Sequence, residues 1–215
     1  MRRREIIRFL ATAAAGFCGK RILPAAPVAP VFQDARAVEP LLPLFPLPLV
    51  LFPEIDLALH IFEERYKQMI RECLLQRREF GVVLMRDRGF ETAGCTAAIT
   101  EILRSYRNGE LDILVQGRRR FELGKLNRDK PYLRGEATFF EDDVTEPPPE
   151  SLRRHAIEHY DRLVALLQAD EPSLRPPALS LEERMLSFRI ITAIPADHQT
   201  RQRLLTLRSE RDRLV

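Results

Sequence analysis

The sequence predicts an α+β fold in which a small, mostly antiparallel β-barrel with one inserted helix precedes a bundle of helices. Short apolar segments with strand-like alternation recur between residues 41 and 140, and a single helical stripe interrupts them early. Pro147-Pro148-Pro149 then separates this half from a C-terminal region with helical spacing. Strands followed by helices are typical of α+β chains, and a barrel hides strand edges at this size.

The first apolar segment, residues 41–53, contains four prolines. Proline cannot donate to a strand ladder, so the segment predicts a short edge strand and an extended loop. An amphipathic helix is expected next, because apolar residues recur at helical spacing between charged ones. This predicted stripe consists of Phe62, Tyr66, Met69, Ile70, Cys73 and Leu74.

Five further strands are predicted after this helix, at residues 80–85, 96–106, 111–116, 121–126 and 132–140. Asn108-Gly109 joins two of them, and this dipeptide supplies the positive φ angles of a tight hairpin turn. With the proline-containing strand, the pattern gives about six short strands in roughly 100 residues, in keeping with a small barrel.

Three helices are predicted after the proline run. Ser151 is placed to cap the first, and Ser180 with Glu183 fits a capping box for the second. The second helix is expected to end by Pro195, and Asp197 is placed to cap the third.

Residues 1–37 are typical of a targeting sequence rather than of a folded domain. They carry seven basic and two acidic groups, so their net charge is +5. Because the whole chain has a net charge of +3, the remaining residues have a net charge of −2. This charge does not favour binding to nucleic acid. Arg3-Arg4 with the apolar run after it resembles a twin-arginine leader, and Ala35-Arg36-Ala37 is an A-x-A cleavage site. Export is expected if this leader is real, and a cytoplasmic location otherwise. A mis-called start codon and an organelle transit peptide are the alternatives.

Several motifs follow one another in an order that is typical of one family. They are Leu42-Pro43-Leu44-Phe45-Pro46-Leu47, residues 57–66, residues 94–102, Asn108-Gly109-Glu110-Leu111, residues 115–121 and residues 188–215. The chain resembles, over residues 41–215, the amino-terminal substrate-recognition domain of Lon proteases. The resemblance implies a PUA-like pseudo-barrel over residues 38–145 and a helical subdomain over 146–215. It also implies contact with unfolded or tagged polypeptides, although the chain stops where the Lon ATPase would begin.

The expected function is therefore binding without catalysis or cofactor. Gly124-Lys125 is followed by Leu126, so no Walker A loop is present, and no Gly-x-Ser-x-Gly elbow occurs. The expected partner is an unfolded polypeptide or another protein, including a separate protease or ATPase. No transmembrane segment is expected, because no run reaches about 18 apolar residues. The sequence does not specify an oligomeric state.

Two motifs support rival functions. His155, Glu158 and His159 fit the H-x-x-E-H pattern of a zinc hydrolase, since both imidazoles share one helix face. No third ligand is evident and two arginines precede the motif, so no metal site is predicted and a solvated helix face is the alternative. The run Arg118–Arg120 fits an RNA-binding module of PUA-like type, and a solvated strand face is its alternative.

Polypeptides are recognised by exposed apolar surface and by free strand edges. The predicted contact residues lie in the proline-containing segment, at Phe45 and Leu47, and in the polar loop formed by Arg86, Arg88 and Phe90. For Phe45 and Leu47 the alternative is a place in the core. Phe90, between glycine and glutamate, is harder to explain as core.

Overall fold

The computed structural model describes residues 41–143, 146–173 and 175–215, so the interpretations of residues 1–37 lie outside the described residues. The strands are Leu42–Leu47 (β1), Asp56–Ile61 (β2), Phe80–Arg86 (β3), Gly89–Ser105 (β4), Leu111–Asn127 (β5) and Arg134–Phe140 (β6). The helices are Glu64–Gln76 (α1), Glu150–Asp170 (α2), Leu186–Ala193 (α3), His198–Thr206 (α4) and Glu210–Leu214 (α5). The α+β prediction is confirmed.

The sheet closes into a barrel because β5 is long enough to pair with several strands. The strand order is β2-β5-β4-β3-β1-β6, and β6 pairs again with β5. Residues 111–116 of β5 pair with β2, whereas residues 120–127 pair with β6. Five strands therefore form a ring, and β2 lies outside it. Among the described strands, the pairing of β1 with β3 is parallel and the others are antiparallel.

The prediction that the first strand is an edge strand is wrong, because β1 lies between β3 and β6. Strand β1 tolerates its prolines because of where they lie in the two ladders. Pro43 is paired with β6 but precedes the β3 ladder, which starts at Leu44. Pro46 is paired with β3 but lies beyond the β6 ladder. Each proline thus has one strand neighbour, and its missing N–H need not interrupt a ladder.

Two strand assignments also differ from the prediction. The segments 111–116 and 121–126 are one continuous strand, β5, rather than two. The sixth strand is instead β2, which the periodicity did not identify because six residues between a proline loop and a helix carry little signal. Its inward residues Leu57, Leu59 and Ile61 are half-buried or buried, and the residues between them are exposed.

The hairpin predicted at Asn108-Gly109 is present, but only the glycine has a positive φ, of 80°. The Gly109 N–H donates to the Tyr106 carbonyl (3.0 Å), and the Tyr106 N–H donates to the Glu110 carbonyl (2.9 Å). This pattern is that of a three-residue loop in which a turn is followed by a left-handed glycine, rather than a two-residue turn with two positive φ angles.

Helix α1 buries Tyr66, Met69, Ile70 and Cys73 as predicted, but Phe62 does not belong to its stripe. Phe62 precedes the helix, and its side chain is 58% exposed. Phe62 lies four residues before Tyr66, so it fits the helical spacing of the buried residues. Periodicity alone therefore placed it on the buried face, although the helix begins after it.

The caps of the C-terminal helices are partly as predicted. Asp197 caps α4, since its carboxylate accepts from the Thr200 N–H at 2.8 Å. Ser151 lies inside α2, which begins at Glu150 after Pro149. Helix α3 begins at Leu186, because Met185 has a φ of 50° that interrupts the predicted helix from Ser180. None of the described helices combines the length and apolar composition needed to cross a membrane.

The helices pack on the barrel through a shared core and a buried ion cluster. The Phe52 and Phe188 rings stack with centroids 5.0 Å apart. The Arg213 guanidinium donates to both Asp142 carboxylate oxygens (2.7 and 2.5 Å). Arg120 pairs with the same carboxylate and donates to the carbonyls of Leu205 and Leu207. This ion cluster, formed by Arg120, Asp142, Glu210 and Arg213, joins β5 to the end of the chain.

Candidate functional site

A surface groove of about 230 Å³ lies beside the ends of the first two strands. We call it the β1–β2 groove, and the residues that define it here are Leu47, Pro48, Leu59, Phe62, Tyr66 and Met85. They come from β1 and the loop after it, β2, the start of α1 and the end of β3.

The groove occurs where the barrel wall is incomplete. Strand β6 pairs with β1 only at Leu42 and Pro43, and the Leu44 N–H donates to the carbonyl of Leu133 just before β6. Beyond Leu44, β1 has β3 as its one strand neighbour. Strand β2 pairs with β5 alone. Within the described part of the chain, the end of β1 and one edge of β2 therefore lack a strand partner, and both line the groove.

Large apolar side chains are exposed around this groove. Phe62 is 58% exposed and Met85 is 50% exposed. The Phe62 ring stacks against His60, with centroids 5.8 Å apart and an interplanar angle of 20°, which restricts the orientation of both rings. Clustered exposed apolar residues in a cleft are typical of interaction sites, and methionine adapts to varied partners.

The predicted contact residues of the proline-containing segment have different positions. Phe45 is buried in the main core, and its ring lies 4.1 Å from that of Tyr66. It belongs to the core and also contributes to the floor of the groove, so contact between its ring and a bound polypeptide stays a prediction. Leu47 is half-buried and lines the groove directly.

The predicted polar loop is a tight turn between β3 and β4. Arg86 pairs with Glu91 (2.6 Å), and Arg88 is exposed at the turn. Phe90 is half-buried against a small apolar cluster around Leu44 and Phe121, so the expectation that it does not contribute to a core is wrong. The residue of this hairpin that lines the groove is Met85, which was not among the predicted contact residues. The signal for it in the sequence is an apolar residue near the end of a strand, next to a polar turn.

A polar network borders the groove at His60. The imidazole Nδ1 lies 2.6 Å from the Asp112 Oδ1, and the Tyr106 hydroxyl donates to the other Asp112 oxygen at 2.7 Å. These hydrogen bonds, from His60 first and then Tyr106, hold the pKa of Asp112 below its usual value. The Glu110 carboxylate lies 3.6 Å from the His60 Nε2. The rim beside β2 is therefore acidic.

The H-x-x-E-H motif lies on α2. The rings of His155 and His159 are 5.6 Å apart, and the His159 Nδ1–H donates to the His155 carbonyl at 2.8 Å. Both line a largely apolar cleft of about 520 Å³ between α2 and the later helices, and Glu158 is exposed. Among the described residues, no group of three or more His, Cys, Asp or Glu side chains is arranged to hold a metal ion.

The arginine run does not form a single basic patch. Arg118 and Arg119 are exposed, and the Arg119 guanidinium lies 3.8 Å from the centre of the Phe139 ring. Arg120 is only 4% exposed and belongs to the ion cluster, so the alternative of a solvated strand face is wrong for this residue. Two of the three charges face solvent and the third serves to pack the C-terminal helices.

Comparisons with known proteins agree on one family. The family described as the ATP-dependent protease La (LON) substrate-binding domain matches residues 41–215. A Lon protease of Parabacteroides distasonis is 31% identical over 119 residues, covering 51% of this chain and 14% of the relative. Lon protease 1 of Bacillus subtilis is 22% identical over 192 residues, covering 84% of this chain and 24% of the relative. The chain thus spans less than a quarter of the length of these curated relatives.

Solved structures show the same fold. A Lon N-terminal domain protein from Xanthomonas campestris superposes with a TM-score of 0.64 at 27% identity, covering 80% of this chain and 94% of that one. The N-terminal domain of the Mycobacterium avium complex Lon protease superposes with a TM-score of 0.55 at 17% identity, covering 80% of this chain and 93% of that one. Family match, fold and motif order agree, and the chain belongs to the Lon substrate-binding domain family.

Proposed function

We propose that this protein binds unfolded or extended polypeptide segments at the β1–β2 groove and catalyses no reaction on them. The observation that carries the proposal is the exposure of Phe62 and Met85 beside an opening in the barrel wall. Membership of a substrate-binding family supports a recognition role. Full burial of one such side chain contributes about 1.5–3 kcal/mol, enough for a few anchors to hold an apolar segment.

The two cysteine thiols of the described region give no support to nucleophilic catalysis. Burial raises the pKa of Cys73 to about 11 and that of Cys95 to about 12. A thiolate is the reactive form, and both sites disfavour it at neutral pH. Both side chains instead belong to the main apolar core.

We expect Phe62→Ala to weaken the binding of an apolar polypeptide by about tenfold, because an aromatic anchor in a groove carries roughly 1–2 kcal/mol or more. The measurement is fluorescence anisotropy of a labelled, carboxymethylated protein that cannot refold. Leu75→Ala is the matched control, since Leu75 is 83% exposed on α1 and lies outside the groove. Both variants should keep the thermal midpoint of the parent. Unchanged binding in Phe62→Ala, or an equal loss in Leu75→Ala, would contradict the proposal.

We expect His155→Ala to change neither polypeptide binding nor any background hydrolysis, since its imidazole lies on α2, away from the groove. Metal analysis of the purified protein should give well under one zinc per chain. Stoichiometric zinc, together with a peptide-hydrolysis rate that disappears in His155→Ala, would favour the hydrolase instead.

A further inference from the structure

We infer that a polypeptide in the β1–β2 groove adds to the free edge of β2 as an extra strand, and that the preferred segment has apolar residues at alternate positions and lysine or arginine beside them. This inference rests on the proposed function, which names the groove as the binding site. It adds the backbone geometry of the complex and the chemical class of the bound segment.

The unpaired edge of β2 offers a regular set of backbone groups. Its six residues pair with β5 in an uninterrupted register from Asp56–Gln116 to Ile61–Leu111. The Gly117 N–H donates to the Ile55 carbonyl at 2.9 Å. Hydrogen bonding alternates along an antiparallel pair, so Leu57, Leu59 and Ile61 face β5, and the N–H and C=O groups of the residues between them point outwards. No backbone group of another described segment bonds to these outward groups.

This edge has few of the features that protect exposed strands from pairing, and Asp56 at its start is its one acidic side chain. Asp56–Ile61 contains no proline and no lysine, and its register with β5 shows no bulge. Soluble proteins use such features to prevent an edge strand from pairing with another chain. A regular edge of six residues without proline, lysine or a bulge is a suitable template for strand addition, in which main-chain hydrogen bonds supply affinity and pockets for alternate side chains supply specificity.

The edge and the groove are continuous. Leu59, His60 and Ile61 belong to β2 and also line the groove. Because side chains alternate between the faces of a strand, every second residue of an added strand would point into the groove towards Phe62 and Met85. Apolar side chains at those alternate positions would cover the exposed surface of both.

The charges around the free edge of β2 determine which residues a bound segment should carry beside its apolar positions. Residues 54–63 and 110–116, which form β2, its ends and the facing part of β5, contain no lysine or arginine. Their carboxylates are Glu54, Asp56, Glu63, Glu110 and Asp112. Arg65, which lines the groove, pairs with Glu63, Arg184 pairs with Glu54, and Arg104 lies over the Tyr106 ring. Among these residues the five carboxylates outnumber the three guanidinium groups, and a basic segment is electrostatically complementary to this part of the rim.

The decisive experiment uses three synthetic peptides with identical side chains, apolar at alternate positions and flanked by lysine. One has a normal backbone, the second is N-methylated at odd positions and the third at even positions. We expect one methylated peptide to bind at least tenfold more weakly than the parent and the other to bind like it, because only one set of N–H groups faces β2. Isothermal titration calorimetry against the full chain measures this.

The outcomes separate the inference from the proposed function. If the parent peptide binds and both methylated peptides bind equally well, or lose affinity equally, strand addition is wrong while binding in the groove stands. If the parent does not bind at all, the proposed function itself is wrong. A glutamate-flanked peptide should bind at least tenfold more weakly at low salt, and this difference should shrink at high salt; an equal affinity would overturn the charge preference.

A variant of the protein gives an independent test. Ala58→Pro removes one outward N–H from β2, and proline is tolerated at such an edge position. We expect this variant to keep the circular dichroism spectrum of the parent and to lose at least fivefold in affinity for the parent peptide. Full affinity in a folded Ala58→Pro variant would contradict strand addition, and the methylated peptides on the parent protein keep the test valid if the variant misfolds.

Discussion

Replacement of Asp142 by asparagine is expected to lower the free energy of unfolding by about 3 kcal/mol, near the lower end of the range for breaking a buried ion pair. Asp142 accepts from two guanidinium groups, those of Arg120 and Arg213, whose side chains are 4% and 0% exposed. Asparagine would leave two buried cations without their shared counter-charge. The cost stays near the lower end because both guanidinium groups also donate to the Leu207 carbonyl and Arg213 keeps Glu210 as a counter-charge.

Urea denaturation followed by circular dichroism measures this change, and Glu150→Gln is the control. Glu150 pairs with Arg154 on α2, where both side chains are more than 60% exposed. Exposed pairs contribute about 0–1 kcal/mol, so the control should unfold close to the parent. Equal stability of Asp142→Asn and the parent would show that the ion cluster does not hold the helices to the barrel.

The same carboxylate gives the stability a pH dependence. Burial alone would raise the pKa of Asp142, but the hydrogen bonds and charges of Arg213 and Arg120 outweigh it, and the pKa is held below its usual value. A carboxyl with a lower pKa in the folded state stabilises the fold above its unfolded pKa and loses that contribution as pH falls through the folded pKa. We therefore expect stability to decline on acidification below about pH 4, and Asp142→Asn to show a weaker decline.

Gly117→Ala is expected to be the most damaging single methyl addition in β5, costing at least about 3 kcal/mol, the upper end for overpacking. A Cβ atom at Gly117 would lie closer to the Phe52 carbonyl oxygen than the 3.0 Å that real Cβ atoms respect. The obstacle is backbone, which cannot rotate away. The Gly117 N–H and C=O also bond to Ile55 and Glu54, so a shift of this strand would break the contact that leads into β2.

Thermal unfolding and the yield of soluble protein report on this variant, and Gly124→Ala is its control in the same strand. A Cβ atom at Gly124 would lie 3.4 Å from the Glu136 Cβ, an ordinary contact. We expect Gly124→Ala to unfold within a few degrees of the parent and Gly117→Ala to be strongly destabilised or insoluble. Equal midpoints for the two variants would show that the Phe52 backbone can move at little cost.

Patterns with long, regular periodicity were predictable from the sequence, and short or topological features were not. The buried face of α1 and the hairpin at Gly109 follow from spacing and turn chemistry. The place of β1 between two strands depends on a pairing with β6, more than 90 residues away. Rules that consider only neighbouring residues cannot predict that pairing. From its prolines alone, β1 was therefore expected to be an edge strand.

The candidate site was only partly predictable for a related reason. Leu47 lies in the groove as the apolar, proline-containing segment suggested. Phe62 and Met85 were missed because exposure depends on where the barrel wall is open, and no window of sequence encodes that opening. Arg120 shows the reverse case, since a charge in a basic run is buried only because Asp142 and the last helices cover it.

The ring of strands has a consequence for synthesis on the ribosome. Its final pairing joins Leu42 to Gly135, and the Arg120 guanidinium finds its carbonyl partners only at Leu205 and Leu207. Contacts this distant along the chain form slowly, because loop closure must precede them. The nascent barrel therefore cannot close before β6 emerges, and the side chain of Arg120 lacks its carbonyl partners until α4 and the residue that follows it are made.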